Sequence, residues 1–365
     1  MIDLYSGVGG LSLGAARAGF SVQSAIELDP IASETHALNF PKTRHMRFDL
    51  AKASGTKLLG ESGVAAADVD GLIGGPPCQG FSDIGHKSAI DPRNDLLKHF
   101  FRVVSEIGPR FFLAENVPGV LAPRNAAILK DALSYVPERY TMLPTLTVTA
   151  SDFGAPTKRT RVFFVGFDLE RMNAFDSADF APPDGVEDVR VHDALVGLPK
   201  IRSSWQEKEQ SWRSVGQLPH TSYGERITAC IPPGVGDPES LKRYAESRIA
   251  SGFLGTNHLP DTVARFASLK PGEFDPVSKG RRLDPKGYCP TLRAGTGSDR
   301  GSFQAVRPIH PSSPRVIAPR EAARLQGFPD WFQFHSTKWH SFRQIGNSVS
   351  PFVAEALLRR LFLAL

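Results

Sequence analysis

Cysteine is scarce in this 365-residue chain: three residues, at 78, 230 and 289, with no CxxC pair. An odd, sparse set excludes a disulfide framework and a structural zinc site and fits a reducing compartment. Long hydrophobic runs are missing too, since no stretch approaches the roughly 20 apolar residues of a membrane span. The opening MIDLYSGVGG lacks the basic and apolar regions of a secretory signal. These absences predict a cytoplasmic protein with no membrane partner and no bound metal. Internal repeats and low-complexity tracts are also lacking.

What is present suits a globular enzyme. Hydrophobic residues make up 41% and charged residues 22%, enough for a sizeable core. The length fits one large domain plus a smaller one. The net charge of +5 is unevenly spread. Residues 1–189 hold 18 Lys and Arg against 23 Asp and Glu, whereas residues 190–365 hold 25 against 15. A basic second half suits a polyanion, although an ordinary basic surface reads the same way.

Apolar strands and amphipathic helices alternate through the first half. Strands are predicted at 1–5, 20–26, up to 48–49, 69–73, 110–114, 141–149 and 161–167. Helices are predicted at 11–18, 30–39, 96–107 and 126–133. This alternation predicts an α/β fold with a mostly parallel, doubly wound sheet, whose ligands sit at the carboxyl ends of strands. After about Phe180 the chain turns rich in Gly, Pro, Ser and Arg, with weak periodicity. The reading is a catalytic domain at 1–185, a loop-rich second domain at 186–317, a hinge at 318–340, and a final helix within 341–365.

Five segments carry chemistry. In DLYSGVGGLSLG, glycines after the first strand let backbone approach a ligand, and the next helix offers free N–H groups. The spacing is not that of a dinucleotide fingerprint. Glu27 ends the second strand, where an acid accepts from ribose hydroxyls, and Asp49 is placed to accept from an adenine amino group. Each acid alone is equally a solvated strand-end carboxylate; with the glycine turn they outline an adenosine-shaped site. In GGPPCQGFS, Cys78 follows a strand end between glycines and two prolines, a rigid backbone with open access. A free thiol of pKa ~8.5 needs a lowered pKa or a base to act as nucleophile. Glu115, in ENVPG at the same sheet edge, is a candidate acid, or else a helix cap. In TKRTR, Arg159 and Arg161 alternate along a strand and suit a phosphate, a brace for the acid, or a structural ion pair. In QIGNSV, Asn347 and Ser348 either cap the last helix or close the ligand site.

Taken together and in this order, DLYSGVGG, GGPPCQGFS, ENVPG, KRTR, REAARLQGFPD and QIGNSV resemble the DNA cytosine-5 methyltransferases of bacterial restriction–modification systems. The resemblance covers about residues 1–167 and 290–350; residues 180–288 fall in the part that varies within that family. It implies a Rossmann-like, S-adenosylmethionine-dependent methyltransferase domain with a smaller target-recognition domain across a DNA cleft. It further implies that Cys78 attacks C6 of a flipped-out cytosine, that Glu115 holds or protonates N3, and that Arg161 and Arg159 hold the cytosine carbonyl and the carboxylate. Cofactor contacts map to Tyr5, Gly7, Gly9, Leu11, Glu27, Asp49, Leu50, Leu96 and Asn347. Substrate contacts map to Pro77, Gln79, Ser82, Asn116, Val117, Thr291 and Arg293. Thr291 and Leu292 resemble a threonine–leucine pair that supports a phosphate contact, with 293–307 as a recognition loop. The implied partners are double-stranded DNA and a cognate restriction endonuclease that acts separately, and the implied protein is bacterial and monomeric. One departure is Thr157, where the family usually has Gln. The first strand also begins at once, which would trim the edge of the cofactor site.

Three other readings share part of this pattern. A transfer RNA cytosine-5 methyltransferase shares the catalytic segments, but that group's Cys-Phe-Thr signature and short variable region are not found. A catalytically silent DNA-binding protein on the same fold would not need Cys78, Glu115 and Arg161 together. A nicotinamide-dependent dehydrogenase fails on glycine spacing.

Overall fold

A computed structural model describes residues 1–77, 95–201, 212–294 and 307–365. Cys78, Gln79 and Ser82, all expected at the site, lie outside these described residues. The central sheet uses strands β1 (Ile2–Leu4), β2 (Ser24–Ile26), β3 (Arg44–Met46), β4 (Gly71–Gly74), β5 (Phe111–Asn116), β6 (Tyr140–Met142), β7 (Leu146–Thr149) and β9 (Thr160–Asp168). Their order is β3-β2-β1-β4-β5-β9-β6, with β7 also on β9. The first five strands run parallel, and β9 is antiparallel to β5, β6 and β7. The expected mostly parallel α/β sheet is therefore present.

Alternation builds two cores from one sheet, because neighbouring side chains on a strand face opposite ways. Phe111 and Leu113 of β5 and Phe163, Val165 and Phe167 of β9 enter one core. Phe112 and Ala114, with Val162 and Phe164, enter the other. Helix α4 (Leu96–Ile107) covers this second face with Leu97, Phe100, Phe101, Val104 and Ile107, a helical apolar stripe. Helix α1 (Gly10–Ala18) covers the first face together with the last helix, α12 (Pro351–Leu363). The two helices pack closely because α1 has no side chain at its contact: a Cβ on Gly14 would lie 2.3 Å from Ala354 Cβ.

Helix α2 (Pro30–Asn39) starts where sequence chemistry sets it. Pro30 opens the first turn, and Asp29 caps the Ile31 and Ala32 amides at 2.9 and 3.4 Å. Between residues 186 and 317 the described strands have two residues each and the helices five to ten. They include strand β12 (Cys289–Pro290), which pairs in parallel with β8 (Thr157–Lys158). This ladder ties the second half of the chain to the sheet edge. Helix α10 (Pro319–Gln326) is buried on every side, and it precedes α11 (Lys338–Asn347). Buried charge there is matched: Arg324 and Asp330 pair at 2.6 Å, both fully covered, and Arg320 donates to three carbonyls.

Three expectations need correction. The strand predicted at 141–149 is two strands, β6 and β7, interrupted around Pro144, which has no N–H for a ladder. The third strand ends at Met46, not at Asp49. Asp49 instead starts a turn, accepting the Ala51 amide on its side chain and the Lys52 and Ala53 amides on its carbonyl. Asn347 and Ser348 do not cap the last helix: Asn347 is the final residue of α11, and α12 begins after Ser350, which makes no side-chain cap bond.

Candidate active site

The glycine turn after β1 is left-handed at three places: Tyr5 (φ 57°), Gly7 (φ 55°) and Gly9 (φ 98°). Gly9 tolerates no Cβ, since one would sit 2.3 Å from the Phe40 ring. Glu27 holds the turn by accepting the Gly7 amide at 2.9 Å on one oxygen and the Asp29 amide at 2.8 Å on the other. Burial raises its pKa, with the amide bonds opposing. Each carboxylate oxygen keeps acceptor capacity. Tyr5 donates to the Leu96 carbonyl at 3.1 Å, which brings these two expected cofactor residues together. Leu11 and Leu50 are buried, and Asn347 is exposed at the end of α11. Its neighbourhood faces the turn, for Val349 O lies 2.4 Å from where a Gly10 Cβ would stand.

A polar chain that the sequence reading missed runs beneath this turn. Ser12 donates to Asp3 Oδ2 at 2.6 Å and meets His36 Nε2 at 3.0 Å, while His36 Nδ1 meets His45 Nε2 at 2.8 Å. Asp3, Ser12 and His36 are fully covered. Burial pushes the Asp3 carboxyl up to about 7 and holds His36 well below the usual histidine range. A neutral His36 fits one direction of donation, from His45 through His36 and Ser12 to Asp3. The available signal was a charged residue inside an otherwise apolar first strand.

At the carboxyl ends of β4 and β5 lies a second cluster. Glu115 is not beyond the strand but within β5, opposite Phe163 of β9. Its Oε1 takes the Arg161 Nε at 2.8 Å, and both side chains are nearly buried. Its Oε2 lies 3.1 Å from the position a Gly75 Cβ would occupy. The Gly-Gly-Pro-Pro turn therefore passes directly over the carboxylate. Pro76 is buried and Pro77 exposed. Arg159 is 2% exposed and donates to the Leu292 carbonyl at 3.3 Å. Burial, then the Arg161 charge, depresses its pKa well below the arginine range, with Glu115 opposing.

Several buried donors here have no partner among the described residues: Arg159 Nε and Nη2, and Asn116 Nδ2, whose own Oδ1 accepts the Val117 amide at 2.8 Å. Unpaired buried donors each cost about 1–3 kcal/mol, so their grouping marks a site shaped for an acceptor-rich ligand. Thr157, fully buried, donates to the Cys289 carbonyl at 3.1 Å, and Thr291 donates to the Lys158 carbonyl at 2.9 Å. Both hydroxyls thus fasten the β8–β12 ladder. Arg293 is exposed just beyond it.

Among the described residues no group of three or more His, Cys, Asp or Glu could hold a metal ion. No helix among them is long and apolar enough to cross a membrane.

The sequence profile of the C-5 cytosine-specific DNA methylases matches residues 1–363. The chain belongs to that family. A cytosine-5 DNA methylase of this kind is similar to bacterial type II methyltransferases. It is 39% identical to M.XorII of Xanthomonas oryzae pv. oryzae over 98% of this chain and 82% of the relative. It is 31% identical to M.DdeI of Desulfomicrobium norvegicum over 99% and 88%. Among solved structures, a prophage-encoded E. coli protein assigned as a DNA modification methyltransferase superposes with a TM-score of 0.89 at 48% identity, covering 100% and 98% of the two chains. The S. pombe Dnmt2 methyltransferase shares the fold, with a TM-score of 0.62 at 18% identity, covering 99% and 97%. The methylase is therefore an enzyme of the type II DNA-modifying class, and the rivals of another class fall away.

Proposed function

We propose that this methylase transfers a methyl group from S-adenosylmethionine to C5 of a cytosine flipped out of duplex DNA, through a covalent bond between Cys78 and C6. The observation that carries the reading is the buried Glu115–Arg161 pair lying under Gly75, three residues before Cys78 in the chain. C5 of cytosine is a poor nucleophile. Addition of a thiolate at C6 makes it enamine-like, provided the charge driven onto the ring is stabilised at N3. Glu115 Oε2 is the oxygen left for N3, because Arg161 occupies Oε1 and fixes the carboxylate's orientation. The unpaired donors of Arg159 and Asn116 suit the cytosine carbonyl and the neighbouring acceptors. Once C5 carries the methyl group, its proton passes to water, the Cys78–C6 bond breaks to restore the thiolate, and N3 returns its proton to Glu115.

The residues of the turn fit the cofactor. Glu27 has acceptor capacity for ribose hydroxyls, Asp49 for an amino group, and the turn leaves room for close approach at Gly7, where an added Cβ would meet nothing within 4 Å. Leu11, Leu50, Leu96 and Asn347 complete that set. When bound, S-adenosylmethionine supplies an electrophilic methyl on a cationic sulfur. The partner is double-stranded DNA, which must be opened at the target because the reacting atoms are unreachable in the stack. A separately acting endonuclease and a monomeric, cytoplasmic state complete the reading.

The test uses duplex DNA containing 5-fluorocytosine within methylated sites. Wild-type protein with cofactor should form a stable adduct on denaturing gels, since no C5 proton is available for elimination. An absent adduct, or full activity in Cys78→Ala, would overturn the mechanism.

A further inference from the structure

Three arginines of this molecule pair with carboxylates at nearly buried positions, Arg161 with Glu115, Arg315 with Glu321 and Arg324 with Asp330, whereas the buried Arg17, Arg159 and Arg320 donate to backbone carbonyls. A different arrangement holds one pair of cations. The Arg307 guanidinium lies over the Phe342 ring, 4.1 Å from its centroid, and Phe342 is itself buried. One turn earlier on α11, Lys338 donates from Nζ to the Gly255 carbonyl at 2.6 Å and to the Thr256 hydroxyl at 3.4 Å. Residues 338 and 342 are four apart and share a helix face. Both cations are half-buried. No acid among the described residues supports either: burial lowers Arg307 to about 10, and burial followed by the Arg307 charge lowers Lys338. Two desolvated like charges cost free energy until a counter-charge joins them.

Their surroundings say which counter-charge. Gly346, four residues beyond Phe342, would place a Cβ 2.6 Å from the Ala294 amide nitrogen and 2.7 Å from the Arg293 carbonyl carbon. Both described flanks of the 295–306 stretch, expected from sequence to read DNA, thus rest on α11. The Arg307 guanidinium carries five N–H donors, and the Lys338 ammonium has three donors with two engaged.

We propose that Arg307 and Lys338 form a docking point for a backbone phosphate of duplex DNA, aligned by the Phe342 ring. This rests on the reading that the methylase acts on duplex DNA. A phosphate contact sets position and register rather than sequence.

The experiment measures duplex affinity between about 50 and 200 mM salt. Arg307→Gln and Lys338→Gln should each weaken binding several-fold and reduce the slope of log K against log salt by about 1. The loss should be alike on duplexes of unrelated sequence, and Arg307→Lys should keep the wild-type slope. Thermal melting checks that each variant is folded. Weaker binding with an unchanged slope would make Arg307 a chain anchor and overturn the site, as would unchanged affinity. Wild-type protein that binds no duplex would overturn the functional reading as well. Wild-type methylation of duplex with unshifted variant slopes would refute this site alone.

Discussion

Glu115 has two oxygens with different neighbours, and that asymmetry sets its expected behaviour. With Oε1 bonded to Arg161 and Oε2 facing the turn at Gly75, Glu115→Gln keeps the shape but removes the carboxyl proton that Oε2 would deliver to N3. We expect kcat to fall by about 10²–10³ with little change in duplex affinity, as measured by single-turnover methylation beside a binding titration. Asp3 gives a pH signature of opposite origin. Burial raises its carboxyl from 3.8 to about 7, so the native state retains a proton that the unfolded chain releases. Its contribution is therefore full below about pH 4 and is lost as pH rises through about 7. Asp3→Asn removes that dependence. Its melting temperature relative to wild type should rise between pH 5 and pH 8, by the equivalent of roughly 1–3 kcal/mol; a difference that stays flat with pH would contradict the assignment.

Among the elements, α1 and α12 depend on each other. Gly14 leaves the space that Ala354 fills, and Gly10 leaves the space beside Val349. Gly14→Ala would gain helix propensity, about 1 kcal/mol, but would force the helices apart. Overpacking of this kind costs about 1–3 kcal/mol, and the displaced helix carries the turn of the cofactor site at its start. The expected result is a lower melting temperature together with weaker S-adenosylmethionine binding by calorimetry. Gly60, whose added Cβ would meet nothing within 4 Å, is the control position: Gly60→Ala should be neutral or slightly stabilising.

For the whole molecule, the sheet's carboxyl edge gathers one cluster around Glu27 and another around Glu115, and the β8–β12 ladder fastens the basic half of the chain beside the second. This arrangement predicts site-specific methylation. Sequencing of 5-methylcytosine in DNA from cells expressing the chain should show one recurrent sequence context. Methylation without a context, or none above the level of a Cys78→Ala control, would count against that prediction.

Much of this was legible in the order of residues. Periodicity located α2, α4 and β9 closely, because their apolar spacings are long and their ends carry Pro, Asp or Gly. Glu115, Arg161 and the glycine turn were legible as motifs, since their chemistry depends on local strand-end geometry. The strand break at Pro144 and the turn at Asp49 were less so, because a propensity average does not register a missing amide or a turn-capping carboxylate. What only the tertiary structure decided was partnership across distance. Asp3 with His36, Glu115 with Gly75, Thr157 with Cys289, and Arg307 with Phe342 are separated by 33 to 132 positions in the chain. Sequence determines which side chains can bond; the sheet order and the docking of α11 and α12 determine which of them meet.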